Sequence, residues 1–344
     1  MMNLVGLGWS PFFADAFSAL AIPETVPARV CADHGALTRI FHADGEALAE
    51  PAGKLREKPA VGDWVAVRLI SDRARIEAIL PRRTRFSRAA VGGPTVEQVV
   101  AANVDVCFVV AGLDHDLNAR RLERYLLACR QGGAAPVVVL NKADFTPDAD
   151  IRAETISALA GDVPVLPVSA LRGDGLQALD AWLTPGTTVA LLGSSGAGKT
   201  TLANALSGQA RRTRAVREDD SRGRHTTTHR ELIVLPTGAL LVDTPGMREL
   251  SLWEGAETGF ASTFEDLTAV AAACRFSDCT HEHEPGCAVR EAIEDGRLEE
   301  GRLAGYQKLR RELQHMERRH SHRLLIEEKQ RWKAITRAYR ARMK

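Results

Sequence analysis

Gly193-Ser-Ser-Gly-Ala-Gly-Lys-Thr200 decides how this chain is read. It fits the pattern Gly-x-x-x-x-Gly-Lys-Ser/Thr, between an apolar run, Thr188–Leu192, and a helix-forming run, Thr201–Leu206. A glycine-rich turn from strand to helix lets the backbone wrap closely around phosphate, and the N–H groups at the helix start donate to anionic oxygens. Gly193, Ser194, Ser195, Gly196, Ala197, Gly198, Lys199, Thr200 and Thr201 are the expected contacts. Lys199 would reach the β- and γ-phosphates, and the Thr200 hydroxyl would ligate Mg²⁺. Downstream, Asp243-Thr-Pro-Gly246 closes the apolar run Ala239–Val242. From a strand end, Asp243 can hold Mg²⁺ through water, and the Gly246 N–H can meet a γ-phosphate.

The nucleobase is addressed upstream. Asn141-Lys-Ala-Asp144 follows a second buried run, Pro136–Leu140. Guanine presents two adjacent donors, N1–H and the 2-amino group, and the single carboxylate of Asp144 can accept both. Adenine lacks that pair and would leave a buried charge unpaired. Asn141 can brace the loop and contact the base, and the Lys142 methylene stem can lie on the base face. Ser169-Ala170, after the run Val163–Val168, suits a loop whose backbone N–H meets the guanine oxygen. An ordinary helix cap is the competing reading of Asn141–Asp144, but the strand before it and the Ser-Ala loop after it both favour guanine.

Around these motifs the rhythm is α/β from about residue 91 to 254. Val104–Ala111 is apolar without alternation, as in a strand covered on both faces, and Asn118–Gln131 has helical spacing. Strands alternating with helices predict a parallel, doubly wound sheet. Residues 25–90 differ: short β-favouring runs (Ala28–Cys31, Leu37–Ile40, Asp63–Leu69, Ala74–Leu80) separated by Gly, Pro and Asp predict a small all-β barrel. Residues 1–24 read as an amphipathic helix ended near Pro23. Residues 255–344 read as a Cys/His cluster followed by a long basic helix over roughly 297–343.

The 344 residues carry a net charge of +1, so the overall balance selects no partner. Its distribution does: residues 301–344 hold 14 Lys and Arg against 4 Glu, a local +10 that suits a phosphate backbone. Arg82, Arg83, Arg85 and Arg88 add a second basic stretch. The first basic residue is Arg29, and Asp15 interrupts the apolar start, so no signal peptide is expected. No run is long enough to cross a bilayer, and a cytoplasmic, monomeric protein without a membrane partner is expected. Cys274, Cys279 and Cys287 lie within 14 residues, beside His281 and His283. Three thiolates and one imidazole with no open position describe a closed, structural zinc site, with His281 and His283 competing for the fourth place.

In ordinary GTPases the phosphate loop comes first and the Asn-Lys-x-Asp motif later. Here Asn141–Asp144 and Ser169–Ala170 precede Gly193–Thr200, and Asp243–Gly246 follows. That order resembles the circularly permuted GTPases. The flanks are similar to one family, the ribosome small-subunit-dependent GTPases known as RsgA or YjeQ. The residues that carry the likeness are Gly193–Thr200, Gly223-Arg-His-Thr-Thr-Thr228, Asp243-Thr-Pro-Gly-Met-Arg-Glu-Leu250 and the Cys274–Cys287 segment. The resemblance implies an oligonucleotide-binding-type β-barrel, a permuted α/β P-loop GTPase domain and a C-terminal zinc domain, with Cys274, Cys279, His281 and Cys287 as the ligands. It also implies that GTP is hydrolysed to GDP with stimulation by the small ribosomal subunit, whose late maturation the protein assists through ribosomal RNA. Competing functions are an RNA-binding zinc module with a vestigial nucleotide site, a permuted GTPase acting on another RNA, and an ATP-dependent enzyme. Asn141–Asp144 speaks against the last.

Phosphoryl transfer needs charge neutralisation and an oriented water. Many GTPases place a Gln after Asp-x-x-Gly to orient it, but this chain has Met247. Slow hydrolysis without a partner is therefore expected. His225 is the local candidate for positioning water, with a solvated loop histidine or an RNA contact as the other readings. One of Thr226–Thr228, taken as Thr227, would join Thr200 on Mg²⁺. Asp243–Leu250 runs almost directly into the C-terminal domain, residues 255–344, so γ-phosphate loss could reorient that end.

Overall fold

A computed structural model describes residues 3–35, 37–55, 57–71, 73–89, 97–114, 117–208, 230–243, 256–315 and 318. The chain divides into two compact units, residues 1–88 with 99–250, and residues 89–98 with 251–344.

The first unit opens with a 3₁₀ turn, Val5–Leu7, and helix α1, Pro11–Leu20. The single helix expected over residues 1–24 is thus split. Gly8, in the left-handed region, ends the turn, and Pro11 starts a new helix where its missing N–H costs nothing. Phe13 of α1 is buried, and its ring and that of Trp9 pack on Trp64.

Strands β1 (Val26–Asp33), β2 (Thr38–His42), β3 (Gly45–Pro51), β4 (Trp64–Ile70) and β5 (Arg73–Ile79) follow. They pair in the order β1-β2-β3-β5-β4, and β4 returns to β1, closing a five-stranded barrel. Alternate residues point inward: Ala28, Val30, Ile40, Ala49, Val65, Val67, Ala74 and Ile76 form its core. The expected oligonucleotide-binding-type barrel is present. A ribbon of β6 (Arg85–Ala89) and β7 (Glu97–Ala102) leads onward.

The sheet that positions the site contains β8 (Val106–Gly112), β9 (Ala135–Asn141), β10 (Val165–Pro167), β11 (Thr188–Leu192), β12 (Arg230–Val234) and β13 (Leu240–Asp243). Its order is β10-β9-β8-β11-β13-β12, parallel except for β12. Both faces are covered. Phe108, Val139 and Leu191 belong to one core, while Val109, Val138 and Ala190 on the opposite face are equally buried. Helix α2 (Ala119–Gly132) packs on β8 and β9 through Leu122, Leu126 and Cys129. Asn118 caps its start by accepting from the Arg121 N–H, and Gly133 ends it in the left-handed region. Helix α3 (Ala149–Ala160) packs on β10, and α4 (Lys199–Ser207) follows β11.

The barrel continues the sheet. β1 pairs antiparallel with β12 through Ala32–Glu231 and Asp33–Arg230, and Arg39 forms an ion pair with Glu231. Beneath this joint Arg29 is fully buried. Its guanidinium donates to the carbonyls of Leu7, Gly62 (3.3 Å) and Asn103 (3.1 Å) and to Thr188 Oγ1 (2.8 Å). Burial lowers its pKa to about 10, so it stays charged at neutral pH.

The second unit contains α5 (Ala256–Thr263), α6 (Glu265–Ala271), α7 (Ala288–Glu294) and a helical stretch over 300–315. Phe260, Phe264 and Tyr306 cluster with ring centroids 4.9–5.4 Å apart. Arg302 braces them by donating to Asp266 at 2.8 and 3.0 Å. The expected basic helix lies within the described residues only up to 315 and at 318.

Candidate nucleotide site and metal cluster

The chain runs from β8 outward to β10, then returns to β11 beside β8 and proceeds in the other direction. In open α/β sheets ligands bind outside the strand C-termini at such a reversal. The loop 193–198 begins there, after β11 and before α4. Two glycines in it are sterically obligatory. Gly193 has φ +149°, and a Cβ there would lie 2.1 Å from the Val110 carbonyl oxygen. Gly198 has φ +90°, and a Cβ would lie 2.2 Å from Asn141 Nδ2. Lys199 Nζ is held by the carbonyls of Gly193 (2.7 Å) and Ser194. Thr200 and Thr201 lie in the first turn of α4.

Asn141 joins the loops. Only 2% exposed, its Nδ2 donates to the Ala197 carbonyl and its Oδ1 accepts the Ala170 N–H, both at 3.0 Å. One side chain at the end of β9 thereby ties together the loop after β10 and the loop after β11. Asp144 accepts from Ser169 Oγ at 2.6 Å, and Arg172 Nε stands 3.8 Å from its other oxygen. Lys142 adopts φ +66° and pairs with Asp114 just beyond β8. Asp114 and Arg172 were not singled out from sequence, although Asp114 lies near a strand C-terminus beside the motif.

Asn141, Lys142, Asp144, Ser169, Ala170 and 193–201 are therefore gathered at one edge of the sheet. Asp243 ends β13, which pairs with β11. His225, Thr227, Gly246 and Met247 lie outside the described residues.

In the second unit the ligand atoms of Cys274, Cys279, His281 and Cys287 lie within 4.8 Å of one another. Nδ1 of His281 is 3.6 Å from Cys274 Sγ and 3.5 Å from Cys287 Sγ, and those two sulfurs are 4.0 Å apart. Tetrahedral zinc bond lengths give edges of about 3.6–3.8 Å, so the donor set fits such an ion. His281, at φ +62° and 4% exposed, takes the fourth place, and His283 stands outside the cluster.

Within the second basic stretch, Arg82 is not free to bind a partner. Arg82 Nε and Nη2 donate to the fully buried Asp63 carboxylate at 2.7 and 2.8 Å, and Nη1 to Glu57 at 2.7 Å. Its guanidinium is committed to the barrel. Arg83 pairs with Asp105 and lies over the Phe13 ring.

A family profile described as RsgA GTPase matches residues 79–253, and one described as 50S ribosome-binding GTPase matches 188–329. The latter begins at β11. The chain is 50% identical to the small ribosomal subunit biogenesis GTPase RsgA of Opitutus terrae, covering 99% of this chain and 98% of that one. It is 46% identical to the protein of the same name from Syntrophotalea carbinolica, covering 91% and 90%. Among solved structures, YjeQ from Thermotoga maritima superposes with a TM-score of 0.63 at 26% identity, covering 84% and 98%. YloQ, a circularly permuted GTPase, superposes at 0.59 with 24% identity over 86% and 96%, a likeness of fold. With its phosphate loop after its Asn-Lys-x-Asp loop, and both at one sheet edge, this chain belongs to the RsgA family of circularly permuted GTPases.

Proposed function

We propose that the chain hydrolyses GTP to GDP and phosphate, is stimulated in this by the small ribosomal subunit, and assists that subunit's late maturation. The observation that carries the nucleotide reading is the Asn141 bridge between the base loop and the phosphate loop. It supports a single rigid site in which base and phosphates are read together. Asp144 takes the two guanine donors, the Lys142 stem covers the base, and Ser169–Ala170 closes the far side. Gly193–Thr201 cradle the phosphates, Lys199 turns from the loop carbonyls to the β- and γ-phosphates, and Thr200 with Thr227 holds Mg²⁺. Asp243 would help hold the same ion, and the Gly246 N–H would meet the γ-phosphate.

Water attacks the γ-phosphorus, the bond to the β–γ bridging oxygen breaks, GDP leaves with the electron pair, and the water's proton passes to the released phosphate. His225 orients that water, because Met247 can neither donate nor accept usefully. Cys274, Cys279, His281 and Cys287 hold one structural zinc ion. The basic residues 301–344 meet ribosomal RNA, and the protein works as a cytoplasmic monomer. No described helix is long and apolar enough to cross a membrane.

The test is GTP hydrolysis titrated with isolated small subunits, large subunits and free RNA. Small subunits should raise turnover by at least roughly tenfold, a modest share of what partner-supplied groups give GTPases. His225→Ala should remove most of that gain and leave GDP affinity intact. Equal stimulation by large subunits or free RNA would overturn the choice of partner.

A further inference from the structure

We propose that Asp114 is a positioning residue for guanine-nucleotide binding, acting through Lys142. The proposal rests on the reading of Asn141–Asp144 as the base loop. β8 ends at Gly112, whose register partner on β9 is Asn141. One residue on, the Leu113 N–H donates to the Asn141 carbonyl at 2.8 Å, so the two strand ends leave the sheet together. Arg152 of α3 fixes this turn by donating to the Leu113 carbonyl at 3.0 Å. The next side chain, Asp114, reaches across to the Lys142 ammonium.

Lys142 is the residue on which the base loop turns. Its φ of +66° is rarely adopted by a side-chain-bearing residue, and such geometry persists only where neighbours over-determine it. The turn sends Asn141 toward the phosphate loop and Asp144 toward Ser169. Three contacts hold it: the Ala143 N–H donates to the Val168 carbonyl and the Phe145 N–H to the Lys142 carbonyl, each at 3.0 Å, and Asp114 holds the side chain. Gly112 leaves the room this requires. A Cβ there would stand 2.6 Å from Asp114 Oδ1 and 3.6 Å from Lys142 Cδ.

Asp114 and Lys142 are 24% and 23% exposed, so the pair borders the site rather than the core. With its ammonium held by Asp114, Lys142 offers the ligand its methylene stem and spends little charge on it. Losing that anchor frees a long side chain whose ordering must then be supplied on binding. Base and ribose are common to GTP and GDP, so the loss falls on both nucleotides and spares the step at the γ-phosphate.

Asp114→Asn should weaken GDP and GTP binding about tenfold each, raise KM in proportion, and leave kcat at saturating GTP within about twofold of the full-length wild-type chain. Asp114→Glu, which keeps the charge, should recover part of the affinity. In a Lys142→Ala background Asp114→Asn should add nothing, because the two act as one unit. GDP affinity of Asp114→Asn within about twofold of wild type, or independent effects of the two substitutions, would overturn the proposal. Wild-type chain binding ADP as tightly as GDP would overturn the base-loop reading itself, before any variant is compared.

Discussion

The two compact units reach order by different means. In the first, long apolar strands bury both faces of a sheet, and the barrel adds a second core. Its site is a by-product of that sheet, since loops 141–144, 169–170 and 193–198 leave neighbouring strand ends and are joined by Asn141. The second unit is built from helices of eight, seven and seven residues before the stretch at 300–315. Helices that short are unstable alone. A small aliphatic core (Leu267, Val289, Ala292, Leu303), an aromatic trio and a Cys/His knot supply the rest. The fold of a site on strand ends should therefore tolerate removal of zinc, whereas the Cys/His unit should not.

The largest effect should come from breaking that knot. Cys287→Ala, or zinc chelation, should unfold the second unit, because binding free energy in such modules is folding free energy. GDP affinity should meanwhile stay within about twofold, since Asn141–Asp144, Ser169–Ala170 and Gly193–Thr201 all belong to the first unit. Circular dichroism with metal analysis and a GDP titration check both halves; full helicity without metal would break the comparison.

Next comes the charge buried in the first unit. Arg29→Met leaves three carbonyls and the Thr188 hydroxyl with fewer partners, and should cost about 3 kcal/mol in denaturant unfolding. Gly198→Ala is more local. A methyl group would collide with Asn141 Nδ2 at a backbone angle that disfavours it, and GDP affinity measured by calorimetry should fall roughly tenfold with little change in the sheet.

The smallest effect concerns acid. Lys54 (2.9 Å) and Arg75 (2.7 Å) hold Glu77 down to a pKa of about 2, against an ordinary 4.5. A lowered carboxylate contributes stability above its unfolded value and loses it as pH falls. The barrel should thus weaken as pH drops from about 4.5 toward 2, and Glu77→Gln should flatten that part of a melting-against-pH curve.

What the sequence made legible follows the same division of physics. The phosphate loop, the base loop and the three-cysteine cluster are short patterns whose chemistry dictates spacing, and they could be read directly, whereas spacing alone left His281 and His283 open as the fourth ligand. So could the strands covered on both faces. β3 escaped notice because its Gly45–Pro51 segment has small residues and buries only Ala49, and β12 because its five residues carry two charges. Arg82 misleads for another reason: an arginine in a basic run reads as surface. Only the fold reveals that Arg29 is encircled by carbonyls and that Arg82 neutralises buried Asp63. Asp114 was invisible because its partner, Lys142, is adjacent in the sheet but 28 residues away in the chain.

The central claim is that loops out of their usual chain order build one guanine site. Nucleotide competition with wild type and Asp144→Asn tests it most directly. Wild type should bind GDP at least about a hundredfold more tightly than ADP or xanthosine diphosphate, because a pairing mismatch strands a buried charge. Asp144→Asn should reverse the order of GDP and xanthosine diphosphate, whose 2-oxo group prefers a donor. Equal affinities of wild type for GDP and ADP, or an unchanged order in the variant, would contradict the account.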